Sequence, residues 1–183
     1  FLIKGYKNVN LDNISKELRI SKRTIYNIFT SKKHLFSECC LTIFLGLTDI
    51  AVPILNNTNL TPFEKITKII RTFIPQISRI PPSFLNDMRL YTPALYQDFL
   101  SFREFMLLRY QGIIKSAQKA GFVRNDINTE ILTDILLLSA NNILIPEYLM
   151  AKNISPSEGL GHILKIIFLG ILSEDARIQI KEI

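Results

Sequence analysis

Residues 5–32 read GYKNVNLDNISKELRISKRTIYNIFTSK, a pattern of two short capped helices joined by a tight turn. Asn10 has the short polar side chain that caps a helix, and Leu11, Ile14 and Leu18 then recur at helical spacing on one face. Ser21 caps a second helix, on which Ile25 and Phe29 point to one side. The turn between them falls at Arg19 and Ile20, and the unit as a whole is a helix-turn-helix. Working outward, Phe1 to Lys4 reads as the last turn of a preceding helix closed by Gly5, since glycine takes the left-handed conformation at little cost. Ser31 caps a fourth, longer helix through Leu35, Phe36, Cys39, Ile43, Leu47, Ile50 and Ile54, which Pro53 is expected to bend near its end.

Charge sets this stretch apart from the rest. The chain of 183 residues has a net charge of +6. Residues 1–38 hold Lys4, Lys7, Lys16, Arg19, Lys22, Arg23, Lys32 and Lys33 against Asp12, Glu17 and Glu38, so +5 of that charge lies in the head. A basic module on a near-neutral body points to a polyanion as partner of the first part alone; a solvated basic face is the alternative on charge by itself.

The second short helix carries Ser21, Lys22, Arg23, Thr24, Tyr26 and Asn27 on its polar side. Arg23 is suited to bidentate contact with guanine and Asn27 to adenine, while Lys22, Thr24 and Tyr26 suit phosphates. An exposed amphipathic helix of an unrelated helical protein has the same periodicity. The stretch resembles the TetR family of bacterial repressors in Gly5-Tyr6, Val9-Asn10, Ile14-Ser15, Arg19-Ile20-Ser21, Thr24-Ile25-Tyr26, Phe29 and Ser31-Lys32, taken in order and without gaps. That resemblance implies a three-helix head with Ser21 to Asn27 as recognition helix, and backbone contacts from Asn10, Thr24, Tyr26 and Lys32. A helix N-terminus attracts phosphate, which adds to Lys32. Three positions depart from the family pattern. Asn10 replaces a threonine, Arg23 a small residue, and Arg19 the turn glycine, at about 1 kcal/mol if that residue is left-handed. Phe1 is not a start methionine, so most of the first helix is expected to lie upstream.

The body, too, reads as helix, giving an all-α fold with a helix-turn-helix domain over residues 1–45 and a ligand-sensing and dimerisation domain over 46–183. Thr61-Pro62-Phe63-Glu64 combines a capping box with proline at the first helical position, opening a helix expected to end near Pro75. Pro81-Pro82 and Thr92-Pro93 bracket a short helix, and a long one runs from Pro93 to Ala120, closed by Gly121. Asn128 and Ser155-Pro156 open two helices that are apolar nearly all round. Pairing them across a twofold axis would bury Ile131, Ile135, Leu138, Asn142, Ile163, Ile166, Ile167 and Gly170 in a four-helix bundle, as the family resemblance implies; burial within one chain is the alternative. A pocket for an apolar or amphipathic effector is expected among Met88, Tyr91, Tyr96, Phe102, Arg103, Phe105, Met106, Tyr110 and Asn141, residues whose ordinary role is core packing.

Other classes of function find little support. The longest apolar run, Ile163 to Leu172, is interrupted by Lys165 and is short of the ~20 residues that span a bilayer, so no membrane segment is expected. With no secretion signal, the expected location is the cytoplasm. Cys39 and Cys40 are adjacent, and with only His34 and His162 they cannot build a structural zinc site; both read as buried helix residues. No cofactor motif and no nucleophile-base pairing occurs, so an enzyme is not expected. The sequence therefore predicts a homodimeric, ligand-released repressor on a palindromic DNA operator, with a helical protein-binding adaptor as the alternative.

Overall fold

The computed structural model describes residues 1–77 and 79–174. These form ten helices: α1 (Gly5–Asn8), α2 (Leu11–Leu18), α3 (Lys22–Ile28), α4 (Lys32–Asn56), α5 (Pro62–Ile77), α6 (Pro82–Tyr91), α7 (Pro93–Lys119), α8 (Thr129–Ile143), α9 (Pro146–Lys152) and α10 (Pro156–Ile171). No strand occurs among the described residues, and one isolated antiparallel bridge joins Val123 to Leu172.

The helix starts follow capping chemistry closely. Asn10, Ser21 and Ser31 accept from the backbone N–H of Asp12, Thr24 and His34 at 2.9, 3.0 and 3.0 Å, each satisfying a donor that the first turn leaves open. Thr61 and Glu64 form a reciprocal capping box, and Ser155 and Glu158 form another. Gly5 has φ +72°, and its N–H meets the Phe1 carbonyl at 2.8 Å, the bond of a left-handed helix cap.

Helix α5 includes Pro75 and ends two residues beyond it, at Ile77. Several expectations are corrected. The turn after Leu144 holds a separate short helix, α9, opened by Pro146 at its first position. Leu18 is 62% exposed and does not share the buried face of Leu11, because α2 ends there and nothing packs over it. Helix α4 crosses residue 45 without a break, so the expected domain boundary falls inside a helix. The same helix is long and apolar enough to cross a membrane by length and composition, which counting uninterrupted apolar runs overlooked. Its buried residues, Phe36, Cys40, Leu47, Ala51, Ile54 and Leu55, pack into the body, where α4 lies against α5, α6 and α7.

The head has little core of its own, chiefly Val9, Leu11 and Ile25. Its attachment runs through aromatic residues. Tyr6 stacks on Tyr91 of α6 with ring centroids 3.9 Å apart and meets Phe36 of α4 edge-on at 5.0 Å. The backbone N–H of Tyr6 donates to Asp87 Oδ2 at 2.6 Å, so a carboxylate of α6 holds the head to the body. Beneath it, Phe36, Cys40, Phe84, Leu85, Met88, Tyr96 and Leu149 form one core cluster. A second, around Ile66, Ile114, Ala117, Leu132, Leu136, Ile163 and Ile171, joins α5, α7, α8 and α10.

Candidate nucleic-acid interface and effector cavity

Helix α3 is seven residues long and anchored by one buried side chain, Ile25, 3% exposed. The opposite side presents Arg23, Tyr26 and Asn27 to solvent, and Tyr26 is 51% exposed. Among the described residues Arg23 and Asn27 have no side-chain partner, so their donors are available to another molecule. The turn leading into α3 is tightly built. Arg19 is left-handed at φ 54°, ψ 37°, the Ile20 N–H reaches the Ser15 carbonyl at 3.1 Å, and the Arg19 N–H reaches Lys16 at 3.3 Å. These are the two bonds of a Schellman motif, and Ser15 Oγ donates to the Ile20 carbonyl at 2.6 Å as a third tie. Arg19 thus takes the left-handed conformation that favours glycine, and the turn closes with both bonds of the motif.

The remaining nominated contact residues are held locally. Lys22 is ion-paired with Asp12 of α2, which fixes the two helices to one another and satisfies part of its charge. Thr24 exchanges a hydrogen bond with Ser21 at 2.9 Å. Asn10 uses its carbonyl oxygen in capping, which leaves its amide N–H groups. Lys32 donates to the Lys7 carbonyl at 3.2 Å and sits 4.6 Å from the centroid of the Tyr6 ring. An ammonium has three donors, so Lys32 is positioned at the start of α4 with donors to spare. Sequence reasoning missed Asp12 as the partner of Lys22 and gave no role to Tyr6, the platform for Lys32. It also missed Lys33, which is exposed beside Lys32 with no side-chain partner among the described residues.

Cys39 and Cys40 are free thiols. Burial pushes Cys40 up to about 12 and also raises Cys39. Both stay protonated at neutral pH, unlike a reactive or ligating thiolate.

In the body, α4, α5, α6, α7, α8 and α10 line a cavity of about 150 Å³. Four of the nine nominated pocket residues, Phe102, Arg103, Met106 and Tyr110, stand in its wall, spaced along one face of α7. The others do not. Met88 and Tyr96 are core beneath the head, Tyr91 is occupied by Tyr6, Phe105 is 53% exposed, and Asn141 holds Arg103 Nη2 from outside at 2.5 Å. Walls that the sequence did not nominate come from other helices: Ile66, Ile69 and Phe73 on α5, Leu136 and Ala140 on α8, and Leu160, Leu164 and Phe168 on α10. Apolar residues on three amphipathic helices carry no local signal that separates a cavity wall from a filled core.

The nominated dimer residues also divide. Ile131, Ile135 and Leu138 on α8 and Ile166 on α10 are 58%, 47%, 61% and 74% exposed, and Leu169, which was not nominated, is 52% exposed. Asn142 and Gly170 are exposed, Ile167 is half-buried, and Ile163 is 7% exposed and faces the cavity, one face of α10 being spent inside the chain.

Residues 1–39 match the model of the family described as bacterial regulatory proteins, tetR family. Over 94% of this chain and 90% of the relative, the sequence is 22% identical to the uncharacterized HTH-type transcriptional regulator YvaF of Bacillus subtilis (strain 168). The fold is similar to the TetR family transcriptional regulator PfmR from Thermus thermophilus, with a TM-score of 0.60 and 16% identity over 91% of each chain. It is also similar to the regulatory protein TetR from Rhodobacter sphaeroides, with a TM-score of 0.62 and 14% identity over 93% of this chain and 92% of that one. A capped helix with outward donors in a head that matches this family, set on an all-helical body, defines the class as a DNA-binding transcriptional regulator. The head thus matches the tetR family model over residues 1–39, and the chain as a whole is similar in sequence and fold to regulators of that family.

Proposed function

We propose that the chain is a homodimeric repressor that grips a palindromic operator through α3 of each protomer and lets go when a small apolar or amphipathic molecule enters the cavity. The observation that carries this reading is α3 itself, with Arg23 and Asn27 unpartnered on its outer side and Ile25 buried behind them. Arg23 reads guanine and Asn27 adenine in the major groove, while Tyr26, Thr24, Asn10, Lys32 and Lys33 hold phosphates. The paired copy docks through α8 and α10, whose exposed Ile131, Ile135, Leu138, Ile166 and Leu169 are large apolar side chains with nothing over them in one chain. Two recognition helices then face adjacent major grooves about 34 Å apart. An operator as partner implies the cytoplasm as location.

Release follows from the position of α6. Leu85 lies in the cavity wall, and Asp87 and Tyr91 of the same helix hold Tyr6 of the head. Leu47 of α4 is a second wall residue on a helix that begins directly after α3. A ligand that displaces either helix changes the separation of the heads, and only a ligand that binds the displaced state more tightly releases the DNA.

The test is a mobility-shift titration on selected operator DNA at several salt concentrations. Arg23→Ala loses about 1–3 kcal/mol of specific binding and relaxes base preference at one position. Tyr26→Ala weakens binding to all sequences alike. Unchanged specific binding in both variants refutes the assignment of α3.

A further inference from the structure

Among the described residues, Arg103 is the one charged side chain in the cavity wall. Its surroundings leave that charge incompletely answered. Nη2 donates to the neutral Oδ1 of Asn141 at 2.5 Å, and Nε is buried without a hydrogen-bond partner. The contrast with Arg89 is instructive, since its Nε is buried in the same way but its guanidinium is ion-paired with Glu147 and bonded to Asn86. No carboxylate pairs with Arg103 among the described residues; Glu104, its neighbour in sequence, acts on it only through its field. Burial pulls the Arg103 guanidinium below its ordinary value, and it nevertheless remains a cation at neutral pH. Tyr110, two turns further along α7 on the same face, adds a hydroxyl without a hydrogen-bond partner among the described residues.

A partly desolvated cation without a counterion, set in a hydrocarbon wall, is stabilised by an anion that brings its own apolar surface. We propose that the effector is an anionic amphiphile, a carboxylate on an aliphatic tail, whose head lies against Arg103 and whose tail fills the cavity. The proposal rests on the effector reading above and adds the chemical class of ligand. An apolar cavity of roughly 150 Å³ takes up benzene, so a tail of about six carbons fits without moving the walls. Longer tails have to part α7 from α8 or α10, which is the displacement that release requires.

The experiment is calorimetric titration of the full chain with hexanoate, octanoate and decanoate, with the alcohols of the same lengths, and with benzene as a probe lacking a head group. Each acid is expected to bind about 10- to 100-fold more tightly than its alcohol, the usual range for a hydrogen bond to a charged group. Arg103→Met keeps the length and apolar bulk of the side chain and removes the charge. That variant is expected to abolish the preference for acids while retaining alcohol and benzene binding, and its melting curve checks the fold. Alcohols that bind the wild type as well as acids do, or an acid preference that survives Arg103→Met, overturn the anionic class and leave the cavity as an effector site. Failure of both series with benzene still bound has the same meaning. Failure of all three kinds of probe overturns the effector reading as well.

Discussion

The left-handed residue at the helix-turn-helix corner allows a quantitative test, because a side chain there costs stability without making a contact in return. Arg19 has φ 54° and ψ 37°, is exposed, and has no side-chain partner among the described residues. Its Cβ crowds the following carbonyl at about 1–2 kcal/mol. Arg19→Gly removes that crowding but gives the unfolded chain more freedom, which costs about 0.5–1 kcal/mol. The difference spans about 0–1.5 kcal/mol and is centred on about 0.75, so the expected gain in Tm is roughly 2–3 °C for a chain of this size. Arg19→Ala is the control, since it deletes the side chain and keeps the Cβ; it should leave Tm close to wild type. Arg19→Asn should fall between them because asparagine tolerates this conformation better than other side chains. Thermal unfolding followed by circular dichroism decides the matter. A Gly variant no more stable than the Ala variant would refute the reasoning, since the turn would then bear no strain that glycine relieves.

Three further outcomes are expected. Asp87→Ala deletes the acceptor of the Tyr6 N–H, a charge-assisted bond of about 1.5–3 kcal/mol; the Tyr6 amide should exchange faster with solvent and DNA affinity fall, while binding of benzene in the cavity is retained. Unaltered amide protection would show that Asp87 does not hold the head. Leu138→Glu places a charge on an exposed helix face, so the folded monomer should be stable to within about 0.5 kcal/mol, yet sedimentation should find monomers and operator binding should weaken; a persistent dimer moves the interface elsewhere. Glu64 and Glu158 accept backbone hydrogen bonds from Thr61 and Ser155, which lowers both below the usual carboxylate value. A lowered value in the folded state means that the ionised form stabilises at neutral pH and that this contribution fades as pH falls through the folded-state value. The Tm advantage of wild type over Glu64→Gln and Glu158→Gln should therefore shrink in acid, and a constant difference down to about pH 2 would contradict it.

The sequence by itself determined the helix starts, the all-helical class and the identity of the head. Those features are local. A cap is one side chain and the backbone three residues on, a left-handed residue is a property of a single turn, and Ser21 to Asn27 lie on one short helix whose outer face can be read from spacing. For the same reason Arg23, Tyr26 and Asn27 were legible as the outward side of that helix. Only the tertiary structure decided what those side chains do besides face outward: Asp12 claims part of Lys22, and Tyr6 carries Lys32. It also decided where the body is hollow. The spacing that placed Phe102, Arg103, Met106 and Tyr110 on one face of α7 says nothing about which helices lie opposite, and Met88 and Tyr96 looked equally suitable until α4 and α9 were packed against them. Likewise, the apolar surface of α10 is divided between the interior, where Ile163 lies, and the outside, where Ile166 lies, by its packing against α5 and α8. Hydrophobic periodicity measures how much of a helix prefers to leave water, and the arrangement of its neighbours determines which side is covered.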